Sequence, residues 1–481
     1  MALNSVLVLG AGTKGAFGDE EEDRISLLSD DLLSDIIARL DLVEAVRTRI
    51  LSRRWKNIFQ SRSELHFDCS TFGSRILSGR GTKFSSLCHY DKRSRPHKLM
   101  FIKAVDQCLQ LFSGQNVSYI GMKCCLGEEF ASNFNRWLQS IATLGVQKLM
   151  VNFCSPTYID KFGDWRCTEL HLFPFQLLFE AASLKSLVLI ACTLQPSFRG
   201  QFKSLQFLSL SVVPLGGGEF TSILSSCVNL QGITVAYSKL PPKFCITGQC
   251  LQLRYVYIQS CSGVEEIEIH HGSLEEFYCY TDGMIRYSVF APKLERIYIN
   301  FNARGTVPYF FCEVVKDFAQ LKYLVFQTKT DALPYIPAKA NMFSNLRILY
   351  LLTMLDTEAD LLCVRPILAA CPLLEHFRLL VRGPIRNEPR EVECSAGDHA
   401  HLKLMELEAF HGTRNEIELA SYVLRSASAL ERLWLLISYR SIHSDFSSTL
   451  EKGVMDDEER RLIFKELEGQ AISSKATVTI C

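Results

Sequence analysis

No stretch of this 481-residue sequence carries the marks of a catalyst. GxSxG, HExxH, P-loop and paired-cysteine arrangements are all missing, which removes the familiar signatures of hydrolases, metalloproteases and nucleoside triphosphatases. Without a single CxxC pair there is no support for a zinc ribbon, a zinc-bound RING pattern or a thioredoxin-like motif. Net charge is absent as well: 52 basic residues balance 52 acidic ones, so the whole chain has no electrostatic reason to seek nucleic acid or an anionic membrane. No apolar run reaches the roughly 18 residues that a spanning helix needs. The apolar stretch from Ser5 to Gly10 is too short for a secretory h-region and lacks a basic flank, so the protein is expected to be soluble and intracellular, in cytoplasm, nucleus or both.

What is present first has to be cleared of misleading patterns. Gly10, Gly12 and Gly15 have GxGxxG spacing after an apolar run, yet the helix that should hold a phosphate would run through Asp19, Glu20, Glu21, Glu22 and Asp23. Those acids repel a phosphate and offer no apolar face to a sheet, so residues 1–22 are expected to be a flexible leader and no cofactor is expected. Cys394, Asp398, His399 and His401 lie close together but have no second pair at ligand spacing, and no metal is expected. His270 and His271 fall in a turn between repeats and are expected to be solvated. Eighteen cysteines scattered through a long chain read as reduced thiols and small buried hydrophobes rather than as a disulfide framework. Fourteen basic residues against three acids between Arg47 and Lys103, densest at Lys92, Arg93, Arg95, His97 and Lys98, read as a solvated linker or a face for an acidic protein partner.

Two patterns remain, and both are strong. From Ser29, a residue suited to N-capping and followed by Asp30 and Asp31 in the first turn, Leu32, Leu33, Ile36, Ile37 and Leu40 recur at helical spacing and are expected on one face. Val43, Val46, Ile50 and Leu51 and then Trp55, Ile58 and Phe59 give two further short helices. About 40 residues are too few to bury so many large side chains, so part of the set must face a partner or the next domain. The run Asp23-Arg24-Ile25-Ser26-Leu27-Leu28, with Asp30, Leu32 and Leu33, then Glu44 to Thr48 and Leu51-Ser52-Arg53-Arg54-Trp55-Lys56, resembles the F-box of plant F-box/leucine-rich-repeat proteins. The resemblance implies docking on a Skp-type adaptor, and through it on a cullin and a RING subunit, by a face that includes Leu28, Leu32, Leu33, Ile36, Leu40, Val46 and Trp55. Ser29 and Asp41 stand where that family usually has proline, each change worth on the order of 1 kcal/mol of docking.

The second pattern is LxxLxL, with cores beginning at Leu184, Leu205, Leu230, Leu253, Leu274, Leu294, Leu321, Leu346, Leu374, Leu404 and Leu430, and weaker copies at Val117 and Val146. Ten intervals over 246 residues give a period of about 25, in the range of leucine-rich repeats, whose strands bury their apolar side only by stacking. Cys192, Cys261 and Asn302 fall where such a repeat satisfies backbone groups in its turn. An extra copy at Val264, Ile267 and Ile269 lies out of register. The residues between the buried leucines should project from the concave face of a parallel sheet: Tyr255, Tyr257, Tyr278, Tyr280, Arg296, Tyr298, Asn300, Tyr323, Gln327, Tyr350, His376, Arg378 and Trp434. This aromatic ladder is the candidate target-binding face, although the same rings could serve only as cross-strand pairs that stabilise the sheet.

From His401 the residues Met405, Leu407, Phe410-His411-Gly412, Glu416, Glu418, Tyr422 and Leu430 resemble the FBD region that closes many plant F-box/leucine-rich-repeat chains. The fold expected is therefore α/β: a leader (1–22), a helical F-box (23–62), a basic linker leading into the solenoid (63–110), leucine-rich repeats (111–400) and FBD-like repeats forming a cap (401–481). The function implied is that of the non-catalytic substrate-recognition subunit of an SCF-type ubiquitin ligase, with an unknown target protein. The alternative is a non-catalytic repeat scaffold or decoy with weakened adaptor binding.

Overall fold

The three short helices and the stacked repeats both form. A computed structural model describes residues 25, 27–40, 42–69, 95–112, 117–124, 128–153, 170–195, 200–247, 250–281, 285–301, 320–329, 343–354, 360–383, 385, 399–439, 451–452 and 455–481. The leader and its glycines, Asp41, Lys92, Arg93, Asn302, Cys394 and Asp398 lie outside the described residues. Residues 1–62 and 63–481 make two separate compact units.

In the first unit α1 (Asp30–Arg39), α2 (Leu42–Thr48) and α3 (Arg53–Gln60) close over a small core of Leu33, Ile37, Ala45, Trp55, Ile58 and Phe59. Ser29 caps α1 as its sequence suggests, its hydroxyl accepting from the Leu32 N–H at 3.4 Å, and Ser52 caps α3 by accepting from the Trp55 N–H at 3.3 Å. Arg54 ties α3 to the start of α1 through Asp30 (Nε to Oδ1, 2.6 Å) and the Leu28 carbonyl. Arg62 donates to the Ile37 carbonyl at the end of α1, 3.2 Å away.

Among the described residues the second unit is built on one sheet of fifteen strands, all parallel and, apart from strands that belong to smaller sheets, in chain order from Glu64–Asp68 to Thr477–Ile480. The alternation within each strand explains its register. Leu208, Ile233, Val256, Phe277, Ile297 and Leu324 pair in one continuous buried row, and Leu210, Val235, Ile258, Cys279, Ile299 and Phe326 in the next. Each expected leucine from Leu184 to Leu374, and Leu430, is buried just ahead of its strand, as are Val117 and Val146. Near residue 404 the repeat start must be corrected: Leu402 is the buried residue, whereas Leu404 pairs with His376 and Arg432 on the opposite face. The stretch expected as a linker already contributes the first strand and a 17-residue helix, Arg95–Leu111.

The copy at Ile267 and Ile269 is a strand of a second sheet. Lys243–Thr247, Glu266–His270 and Arg286–Phe290 form a three-stranded parallel sheet, so that between residues 232 and 301 each repeat returns through a strand. Elsewhere helices such as Ala131–Thr143, Gly217–Ser226 and Arg414–Ser426 make the return. A strand advances about 3.3 Å per residue against 1.5 Å for a helix, which is why the repeats starting at Leu230, Leu253, Leu274 and Leu294 are closely spaced.

The turn after the strand uses a left-handed residue. Ala191 (φ 58°), Val212 (56°), Tyr237 (49°), Ser260 (48°) and Ala409 (54°) each follow directly on a strand's last residue. The first three aim their N–H at the carbonyl of the next strand's last residue, at 2.9, 3.0 and 2.8 Å. Such a conformation costs roughly 1–2 kcal/mol for a residue with a Cβ, and the hydrogen bond between repeats offsets it. Cys261 supports this turn as expected, its thiol lying 3.5 Å from the Val235 carbonyl. Burial raises the Cys261 thiol to about 11, and the twelve described cysteines are all free.

His271 corrects the expectation of a solvated pair. His270 is exposed, but His271 is 3% exposed, with Nε2 2.6 Å from the Cys250 carbonyl. Burial lowers its pKa below the ordinary imidazole range, outweighing the pull of that carbonyl. The unfolded chain therefore takes up a proton more readily than the folded one, so the contribution of His271 is fully present above about pH 6.5 and is lost as pH falls through its depressed folded value. Urea unfolding at pH 7.5 and 5.5 should show a loss of stability on acidification that is smaller in His271→Gln. Equal losses in the two proteins would refute a buried neutral imidazole.

Candidate functional site

Two surfaces follow from these folds. On the helical unit, α1 carries two apolar stripes offset by about 100°, the angle between consecutive residues of a helix. Leu33 and Ile37 face inward and are fully buried. Leu32 and Ile36, spaced by four, form the other stripe and are 51% and 40% exposed; Leu28, just ahead of the Ser29 cap, and Leu40, just past the last helical residue, are half-buried. Of the seven residues expected on an adaptor face, the structure thus places Leu33 and Trp55 in the interior, where they hold the helices together, and Val46 half-buried on α2. Ile25, Leu27, Ile50 and Leu51, which the expected face did not include, are exposed too.

On the repeat unit, the open face of the sheet brings the expected tyrosines into ring contact. Tyr257, Tyr278, Tyr298, Tyr323, Tyr350 and His376 follow one another with centroid separations of 5.7, 5.9, 5.3, 5.4 and 5.1 Å. The row is not straight. Val325 occupies the register position of Tyr298 and Tyr350 and is buried with Leu352, Leu380 and Ala409, so the row steps sideways to Tyr323. Tyr298, Tyr323 and Tyr350 pack against that apolar cluster. Tyr255 and Tyr280 are half-buried in the flanking rows, and Trp434 lies beyond, with the Arg432 guanidinium 5.3 Å over its ring.

Charged groups that the alternation alone did not single out organise this face. Glu276 accepts from the Tyr257 hydroxyl on one oxygen and from Arg296 Nε, at 2.7 Å, on the other. Burial, reinforced by the Glu276 carboxylate, raises the Tyr257 phenol, so it stays a donor at neutral pH. Farther along, Arg378 stands between Glu406 (3.5 Å) and Glu408, with its guanidinium 5.2 Å over Tyr350, and His376 Nε2 is 3.2 Å from Glu406. Burial pulls the Glu406 carboxyl up, but His376, Arg378 and Arg432 outweigh it and hold the group below its usual range. Gln327 is buried, and the Asn300 amide, 4% exposed, has no hydrogen-bond partner among the described residues. Among the described residues no cluster of His, Cys, Asp and Glu could hold a metal; His399 is buried against the Tyr422 hydroxyl at 2.9 Å, and His401 is exposed. No described helix is long and apolar enough to cross a membrane.

Known families match both units. An F-box domain model matches residues 25–67, and a model described as the At1g61320/AtMIF1 LRR domain matches residues 109–460. The chain belongs to the plant F-box/leucine-rich-repeat family. Among its curated relatives in Arabidopsis thaliana, the putative F-box/LRR-repeat protein At1g56400 is 22% identical over 45% of this chain and 42% of its own length. F-box/LRR-repeat protein 13 is 25% identical over 58% of this chain and 52% of its own length, so the chain spans about half of each. The putative F-box/LRR-repeat protein At5g54820 is 23% identical over 87% of this chain and 92% of its own length. The repeat-domain match runs on through most of the stretch from His401 that resembles the FBD, and there the strands Leu404–Glu408 and Arg432–Leu436 continue the same sheet. Similarity to an FBD-associated F-box protein, At5g18780, is 26% over 36% of this chain.

The Arg378 network yields a stability test. Breaking a buried ion pair on one side costs roughly 3–5 kcal/mol, because the remaining charge stays desolvated. Glu408 is 3% exposed, so Arg378→Met should lower unfolding free energy in urea by about 3 kcal/mol, whereas Arg432→Met, at an exposed position with only the Trp434 ring contact and a distant pull on Glu406 to lose, should lower it by no more than about 1 kcal/mol. Similar small effects in both would show that Arg378 does not balance buried carboxylates.

Proposed function

We propose that the chain is the substrate-recognition subunit of an SCF-type ubiquitin ligase, with a Skp-type adaptor held by the helical unit and a target protein by the open face of the repeats. The adaptor would connect it to a cullin and a RING subunit, and the chain would act by raising the effective concentration of target near the transfer machinery, with no chemistry of its own. The observation that carries the reading is the exposed stripe of Leu32 and Ile36 on α1, flanked by Leu28 and Leu40. The core of the helical unit is complete without it, so its exposed part is surplus to folding and suits an apolar groove on a partner. On the repeat unit, half-buried tyrosines with arginines between them are the residue types that dominate binding energy at protein interfaces.

A second reading, a repeat scaffold or decoy, is favoured by one observation: Ser29 caps α1 through its hydroxyl, and no proline ring is present there to add apolar contact. Co-purification with a Skp-type adaptor tests the receptor reading. Ile36→Asp should reduce recovery more than tenfold while leaving the helical content of the protein unchanged; equal recovery of wild type and variant would remove the adaptor assignment. Ser29→Pro should strengthen adaptor binding by no more than about tenfold, the equivalent of about 1.4 kcal/mol. A gain of several hundredfold would favour the decoy.

A further inference from the structure

We propose that the open face carries an anchor pocket for one aromatic side chain of a target segment, with an acidic residue about three positions away from that anchor. The inference rests on the reading of the open face as the target surface and names where and how the target is gripped. Three consecutive strands, Ser186–Ile190, Phe207–Ser211 and Gly232–Ala236, place only uncharged side chains on this face, and Phe207 is the single ring among them. The next strand, Tyr255–Gln259, raises Tyr255 and Tyr257. Between Phe207 and these two tyrosines lies a cavity of about 270 Å³, with Ser209, Gly232 and Thr234 lining it.

Three features give this cavity the character of a socket. Three of its lining residues are aromatic, and Phe207, the first residue of its strand, is 44% exposed, which leaves ring area for an edge-to-face partner. Gly232 keeps it open: a Cβ at that position would come within 2.9 Å of Phe207 Cδ1 and 3.6 Å of Tyr255 Cβ. Ser209 and Thr234 add hydroxyls that can meet the polar tip of a tyrosine, so the pocket suits Tyr or Phe.

The charge beside the pocket selects the neighbour of that anchor. Lys148 shares the register row of Ser186 and Phe207, and Lys185 immediately precedes Ser186. Both are exposed and neither has an ion-pair partner among the described residues; Lys148 Nζ lies 5.6 Å over the Tyr119 ring. On the tyrosine side the charges are already matched, Arg254 by Glu275 at 3.6 Å and Arg296 by Glu276 at 2.7 Å. The uncompensated field next to the cavity is therefore positive, and a carboxylate is its complement. Lys185, next to Ser186, lies two strands from Gly232 in the cavity, roughly 10 Å, which an extended peptide spans in about three residues, and Lys148 lies one strand farther out.

Panning a random 12-residue phage-displayed peptide library on the full-length chain tests this directly. The expected result is enrichment of peptides with Tyr or Phe about three positions from Asp or Glu. Synthetic peptides of that sequence should lose at least tenfold in affinity on Gly232→Leu, which fills the cavity, and on Phe207→Ala, which removes an exposed wall without touching the core. Lys148→Glu combined with Lys185→Glu should weaken acidic peptides and not their glutamine counterparts. Enrichment without an aromatic-plus-acid pattern, no enrichment, or binding indifferent to both cavity variants would overturn the proposal. If peptides bind but depend on Tyr298 and Tyr350 and not on Gly232 or Phe207, the pocket assignment fails while the open face remains the target surface. Failure of the adaptor experiment would leave the pocket result unaffected.

Discussion

The repeat unit depends on one constraint: a strand of this sequence can bury its apolar side only against the strands before and after it. Its buried positions do not occur singly; Val256 is buried because Ile233 and Phe277 flank it in register, and Ile258 because Val235 and Cys279 do. A slip of one residue would turn Tyr255 and Tyr257 inward and expose Val256 and Ile258, so every strand is locked to its neighbours by the same alternation. The left-handed turn residues belong to this lock. Ala191, Val212 and Tyr237 each accept a strained conformation and in return reach the carbonyl that ends the neighbouring strand.

That constraint also decides what was legible in the sequence. The spacing of leucines marked the strands, because stacking requires a large apolar side chain at the same point of each repeat. It was least informative where two apolar residues lie two apart, as with Leu402 and Leu404, since both suit a strand and only the pairing with His376 shows which faces outward. The route of return between strands was not legible from period alone. Ile267 and Ile269 have the alternation of a sheet strand, and the second sheet they enter uses the same pattern as the first. The turns were hidden because Ala191, Val212, Tyr237, Ser260 and Ala409 are not the glycine or asparagine that usually marks a left-handed position. His271 resembled a surface histidine only because its acceptor, the Cys250 carbonyl, comes from the preceding repeat.

The helical unit has the complementary ambiguity. Periodicity placed the apolar residues of α1 on one face, whereas the structure divides them into a buried and an exposed stripe. Leu33 and Ile37 go inward because Trp55, Ile58 and Phe59 supply their packing surface, and Leu32 and Ile36 remain on the other side. Trp55, conspicuous in sequence for its size, is drawn inside for the same reason: burying it stabilises a module of few residues more than any smaller side chain could.

On the open face, stability and binding draw on the same rings. Each tyrosine contact along the row contributes about 0.5–1.5 kcal/mol beyond area burial, and Tyr298, Tyr323 and Tyr350 also cover Val325, Leu352 and Leu380. These rings are therefore already committed to the fold, and much of their surface is covered before any partner arrives. The strands from Ser186 to Ala236 differ. Their open-face residues carry no charge, and Phe207 is the single ring among them. A partner loses less by covering such a surface than by displacing a packed row, because no existing contact must be broken and the side chains to be ordered are few. The ladder is thus fixed by its own packing and by the Glu276 and Arg378 ion pairs, and the uncharged strands beside it lack both kinds of constraint on their open face.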